Sequence, residues 1–171
     1  SGTHAAGTTN QYGVDLTIGK SATSTAGRTV VAPLAGTIYY WQAAYGNLCV
    51  NTNDGRSFTL THINAWKTSG TVSPGEALGT VGAAGTLNNN NVAHLHFEMW
   101  SGKGCYNQSS PIPLDSAHNA QMCGAPDMTA TGPNGGNGVW SGTTFIAQAC
   151  GIGQPFGSFD VASSPEPGYV P

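Results

Sequence analysis

Over the first hundred residues, apolar and polar positions alternate with a period of two in several separate runs. Tyr12, Val14, Leu16 and Ile18 are interleaved with Gly13, Asp15 and Thr17, the pattern of a strand with one buried face. Residues 36–41 (Gly-Thr-Ile-Tyr-Tyr-Trp) are rich in β-branched and aromatic side chains and follow Pro33, which predicts another strand. Residues 47–51 and 57–62 flank Asn53-Asp54-Gly55, a turn signal that predicts a hairpin. A Pro74-Gly75 turn precedes residues 77–81, and Leu95, Phe97 and Met99 then alternate with His94, His96 and Glu98. No segment joins helical periodicity to caps at both ends. The prediction is an all-β protein with an antiparallel β-sheet core.

Beyond residue 100 the texture loosens. Residues 107–118 carry two prolines and several serines, residues 131–138 read Thr-Gly-Pro-Asn-Gly-Gly-Asn-Gly, and residues 163–171 hold three prolines. The chain therefore divides into a β domain over 1–104 and a loop-rich extension over 105–171, packed on the same domain and ending in a Pro-rich tail. Three of the four cysteines (Cys105, Cys123, Cys150, with Cys49 the fourth) lie in the extension, so disulfides are expected to hold it. An even number of cysteines without CxxC spacing suits two disulfides better than a zinc knot, and points to an oxidising, extracellular setting. Four buried thiols in a reducing compartment are the alternative. Of the three possible connectivities, Cys49–Cys105 with Cys123–Cys150 is preferred.

Composition narrows the partners. Only 8% of the 171 residues are charged, where about 25% is usual. With 25 glycines and 10 prolines, this argues against long solvated helices. Apolar residues at 39% and a net charge of −3 are nonetheless those of a chain that folds, here as a monomer. Five Lys and Arg in total cannot form a phosphate-tracking surface, which excludes nucleic acid. No apolar run is long enough to cross a bilayer, so membrane insertion is not expected. At Ser1 there is neither a basic segment nor an apolar one, so a targeting segment is expected to be either removed or absent.

Five histidines carry most of the candidate chemistry. On a strand, His94 and His96 project from one face while Leu95 and Phe97 point into the core. Two imidazoles side by side are half of a zinc site, or a ligand beside an acid/base group; alone, such a pair more often binds nothing. His62 ends a strand on which Phe58, Leu60 and His62 share a face, the setting of a partly buried structural histidine as much as of a catalyst. Asp15, facing away from Val14 and Leu16, is a ligand or a loop cap.

Taken together these residues say more. Gly13-Val14-Asp15-Leu16, Ala32-Pro33 with Gly36-Thr37, Tyr45-Gly46-Asn47, Thr61-His62-Ile63, Leu78-Gly79 with Val81-Gly82, Gly85-Thr86 and His94-Leu95-His96-Phe97-Glu98 form one ordered series over residues 4 to 100. The series resembles the M23 family of zinc metallopeptidases, the lysostaphin and LytM type, which hydrolyse peptide bonds in bacterial peptidoglycan. The resemblance implies an antiparallel β core with a loop-lined groove and one zinc ion held by two histidines and an aspartate. It places zinc ligands at Asp15 and His96 and acid/base histidines at His62 and His94. In most members the remaining ligand lies four residues before the aspartate, where this chain has Gln11. The β-lytic and LasA-like branch places that histidine earlier, in a Gly-x-His segment, which here is Gly2-Thr3-His4; His4 is thus the implied third ligand.

A second departure is the loop before the His-x-His strand. The family often carries Ser-Thr-Gly-Pro there, and this chain has Asn88-Asn89-Asn90-Asn91, so substrate preference does not transfer. Trp41, Tyr45, Trp66 and Trp100 are candidates for lining the groove or for core packing. Glu98 shares a face with His96 and is a candidate partner for an imidazole, or a surface carboxylate. The implied activity is that of a secreted zinc endopeptidase acting on peptidoglycan cross-bridges or stem peptides. The alternative is a zinc-free module of the same fold that binds cell wall or regulates another hydrolase.

Overall fold

The computed structural model describes residues 8–18 and 21–122, together with the backbone of three short strands further along the chain. The strands are β1 (Val14–Leu16), β2 (Thr29–Val31), β3 (Gly36–Gln42), β4 (Asn47–Thr52), β5 (Ser57–Thr61), β6 (Ile63–Ala65), β7 (Thr71–Val72), β8 (Ala77–Val81), β9 (Leu95–Trp100) and β10 (Pro111–Ile112). A 3-10 turn, η1 (Cys105–Asn107), precedes β10, and β11 (Phe145–Ile146), β12 (Val161–Ala162) and β13 (Tyr169–Val170) follow. The architecture is all-β, antiparallel throughout and built of open sheets. One sheet runs β1-β9-β5-β4-β3-β7, with β10 also paired to β9; a second runs β12-β2-β8-β6; β11 and β13 form a separate pair.

The two larger sheets face each other across the apolar core. Val14, Leu16, Leu48, Val50, Phe58, Leu60, Leu95, Phe97 and Met99 from the first sheet meet Val30, Ile63, Leu78 and Val81 from the second in one buried cluster. These are the alternate positions that the period-two pattern assigns to a core face. β9 is an inner strand of the first sheet, paired on both sides, and all six of its residues are buried. β5 occupies one edge of β9 along its length, while β1 and β10 share the other in tandem.

The opposite face of this sheet is polar, and register aligns it in rows. Asp15 of β1, His96 of β9 and Thr61 of β5 stand abreast, and the next row pairs Glu98 with Thr59 and Thr59 with Cys49. A bulge completes the second row. The pairing of β3 with β4 shifts between Ile38 and Tyr40, so Ile38 sits opposite Val50 and Tyr40 opposite Cys49. The extra residue, Tyr39, faces solvent, and Tyr40 is turned from the core side to the polar side.

The Cys49–Cys105 disulfide pins η1 against this polar face. The second expected pair, Cys123 with Cys150, lies outside the described residues. One sequence expectation is corrected here. His62 does not share the apolar face of Phe58 and Leu60, because β5 ends at Thr61 and His62 adopts a left-handed backbone with φ 68°. At that residue the chain leaves the first sheet and enters β6 of the second. The corner swings the imidazole away from the core.

Candidate active site

His62, His94, His96 and Asp15 line one cavity of about 280 Å³, bordered further by Asn10, Thr61, Asn88, Asn90 and Tyr106. The rows on β1, β9 and β5 bring Asp15 and His96 together, the corner after β5 supplies His62, and the residue before β9 supplies His94. The rings of His62 and His94 lie edge to face with centroids 4.6 Å apart, and His62 is 6.3 Å from His96.

Each of the three imidazoles has its orientation fixed. His62 Nδ1–H donates to the Leu87 carbonyl at 2.9 Å, and His94 Nδ1–H donates to the Val92 carbonyl at 2.8 Å. A carbonyl can only accept, so both rings are held with Nδ1 protonated and Nε2 as the basic atom. The His94 Nε2 lies 3.5 Å from Asp15 Oδ1. Burial pushes the His62 imidazole down to about 4, and the nearby His94 and His96 act in the same direction against the Leu87 hydrogen bond. His62 is therefore neutral at ordinary pH and able to accept a proton.

His96 is different. Its Nδ1–H donates to Asp15 Oδ1 at 3.0 Å, and its Nε2 faces Glu98 Oε2 at 3.7 Å. Burial opposes its charge, but the two carboxylates outweigh burial and raise it to about 9. The Asp15 and His96 donor atoms stand close to the separation of neighbouring vertices in a tetrahedral zinc site, about 3.3 Å for bonds of about 2.0 Å. A carboxylate on the far nitrogen of a ligating histidine is also the usual arrangement behind such a metal. These two residues fit a zinc ion. Among the described residues, however, no group of three or more His, Cys, Asp or Glu is placed to hold one. His4, the expected third ligand, lies outside the described residues.

The asparagine run divides by role. Asn89 is fully buried; its Nδ2 donates to the Gly82 carbonyl at 2.9 Å and its Oδ1 accepts from the His94 backbone N–H at 3.2 Å. Asn88 and Asn90 face the cavity instead. Left-handed backbone at Leu87 and Asn88 (φ 49° and 62°) makes this split and turns the Leu87 carbonyl toward His62. One loop thus orients two of the three histidines.

Of the four aromatic candidates, none lines the cavity. Trp100 is buried, Trp41 packs against the core, and Tyr45 and Trp66 are exposed. The aromatic residue that does reach it is Tyr106 on η1. Sequence reasoning passed over Tyr106, since only its position next to Cys105 hints at a fixed location.

The sequence profile described as Peptidase family M23 matches residues 9–109. No curated protein matches the chain. Among solved structures, a point mutant of the catalytic domain of the prophage-encoded M23 protein EnpA from Enterococcus faecalis is 18% identical, with a TM-score of 0.48 over 64% of this chain and 83% of that one. The catalytic domain of the antimicrobial peptidase lysostaphin from Staphylococcus simulans is 20% identical, with a TM-score of 0.37 over the same shares.

Proposed function

Because the chain belongs to peptidase family M23, we propose that it is a secreted zinc endopeptidase that cleaves peptide bonds in bacterial peptidoglycan. The observation that carries this reading is the meeting of Asp15 Oδ1, His96 Nδ1 and His94 Nε2 beside a neutral His62 in one cavity. Asp15 and His96 hold the metal, with His4 as the third ligand. A zinc ion held there supplies a water of lowered pKa, towards about 7, and polarises the scissile carbonyl. His62 and His94 each keep Nδ1–H on a backbone carbonyl and take or return a proton at Nε2, first from the attacking water and then to the leaving amine. Thr61, Asn88 and Asn90 offer uncharged hydrogen-bonding groups to the substrate backbone. The Cys49–Cys105 disulfide supports an extracellular setting.

A second reading rests on the described residues alone. They contain no third metal donor in place, and Gln11 stands where most of the family has a histidine. Taken by themselves they favour a zinc-free module of the M23 fold that binds cell wall or regulates a hydrolase. Metal analysis with a peptide-release assay separates the two. The enzyme reading expects near-stoichiometric zinc, lost in His4→Ala and in His96→Ala, and new amines released from defined peptidoglycan peptides. It also expects His94→Ala to keep zinc and lose about 10²- to 10⁴-fold in turnover. Protein without metal that releases no amines after zinc addition establishes the module instead.

A further inference from the structure

The backbone corner at His62 is bonded on both sides. From the turn between β3 and β4, the Tyr45 carbonyl accepts the His62 N–H at 3.3 Å and the Gly46 carbonyl accepts the Ile63 N–H at 3.1 Å. Gly82, which follows β8, donates its N–H to the His62 carbonyl at 2.7 Å. These bonds fix the main chain and leave the ring to another group. The imidazole is held from the loop before β9, where the Leu87 carbonyl accepts its Nδ1–H at 2.9 Å.

Leucine is an unusual residue at that point. Its φ of 49° lies in the left-handed region, where a Cβ is crowded and glycine or asparagine is the ordinary choice. A leucine held there needs compensation from its surroundings. Leu87 is the one large apolar side chain in residues 83–91, and it is half-buried. Two glycines show where it goes. A Cβ on Gly82 would stand 2.9 Å from Leu87 Cδ1, and a Cβ on Gly46 would stand 3.1 Å from the same atom. One methyl group therefore fills a notch between the two glycines that bracket the His62 corner. Both walls of the notch are buried and tied to the corner by the backbone bonds above. Buried Asn89 anchors the same loop two residues on, through its bonds to the Gly82 carbonyl and the His94 N–H.

We propose that Leu87 is a positioning residue for His62: its side chain, seated in the notch between Gly46 and Gly82, fixes the carbonyl that keeps Nδ1 protonated and Nε2 basic. The inference rests on the peptidase reading for its effect on turnover. The hold on the ring is a property of the metal-free chain as well.

The test compares the full chain with Leu87→Gly, Leu87→Met and Gly82→Ala, and repeats Leu87→Gly in a His62→Ala background. Two quantities are read: the Nδ1–H to Nε2–H tautomer ratio of His62 by nitrogen-resolved NMR without metal, and kcat for amine release from peptidoglycan peptides. Leu87→Gly relieves the left-handed backbone and empties the notch, so a strained bystander and an anchor behave in opposite ways. The anchor predicts mixed tautomers and a kcat lower by about 10- to 10²-fold. Leu87→Met, long and flexible enough to refill the notch, should restore the single tautomer and most of the turnover. Gly82→Ala, which puts a methyl group into the notch, should reproduce the loss. In the His62→Ala background Leu87→Gly should add little, because the group it positions is gone. A parental tautomer ratio and kcat in Leu87→Gly overturn the proposal, as does an equal loss with and without His62. If the parent chain releases no amines, the peptidase reading fails, and the tautomer ratio by itself supports or overturns the hold on His62.

Discussion

Gly13 shows how closely the backbone passes the site. A Cβ placed there would lie 2.5 Å from His96 Cε1 and 2.6 Å from Nε2, so its hydrogen atom marks space that no side chain can take. The contrast with Gly55 is instructive, since a Cβ there meets nothing within 4 Å and the turn needs glycine for its φ of +93°. Gly13→Ala is expected to displace the His96 imidazole and destabilise the fold by about 1–3 kcal/mol, measured by urea unfolding. Zinc content should fall with it, and an alanine variant with parental stability and metal content would contradict this. At this scale the sequence was informative about chemistry and silent about space. Asp15, His94 and His96 could be picked out from residue type and alternation, but the reason for glycine two positions before Asp15 appears only when β1 lies against β9.

Among the elements, the strands with strict alternation or a flanking turn were legible, β9 and the β4–β5 hairpin most clearly. Others were not, for physical reasons. β2 and β6 are three-residue strands, too short for a period to register. The bulge in β3 inverts the facing of Tyr40 against a count made from Ile38, and the left-handed backbone at His62 does the same against a count made from Phe58 and Leu60. The loop before β9 reads as four equivalent asparagines, yet backbone twist sends one inward and two to the cavity. Asn89→Ala leaves the buried Gly82 carbonyl and the His94 N–H without their partner, and should cost about 1–3 kcal/mol together with a loss of activity. Asn90→Ala should leave the unfolding midpoint in place and raise KM, while Asn88→Ala should raise KM with a small loss of stability, since alanine tolerates the left-handed backbone at that position (φ 62°) less well than asparagine. Denaturation curves and steady-state kinetics on the three variants check the division.

At the scale of the molecule, the Cys49–Cys105 disulfide joins the polar face of the large sheet to the turn that covers it. Cys49 and Cys105 are 56 residues apart, and closing a loop of that size in the unfolded chain stabilises the fold by about 4 kcal/mol on chain-entropy grounds. Replacing both by serine should lower the thermal midpoint accordingly and weaken the near-ultraviolet dichroism of Trp100 and Tyr106; a variant with both unchanged would refute the anchoring role. Cysteine parity pointed to disulfides and left three connectivities open, Cys49–Cys105 being in the preferred one; the use of this link was not legible, since η1 meets the polar face of the sheet only once the chain is folded. The two faces of β1, β5 and β9 carry one more consequence. Side-chain alternation means that a slip of one residue in this sheet would bury Asp15, His96 and Glu98 in the apolar layer and expel Leu95 and Phe97 into water. The side chains that give the cavity its chemistry thus also proofread assembly, penalising each misaligned copy before it can persist.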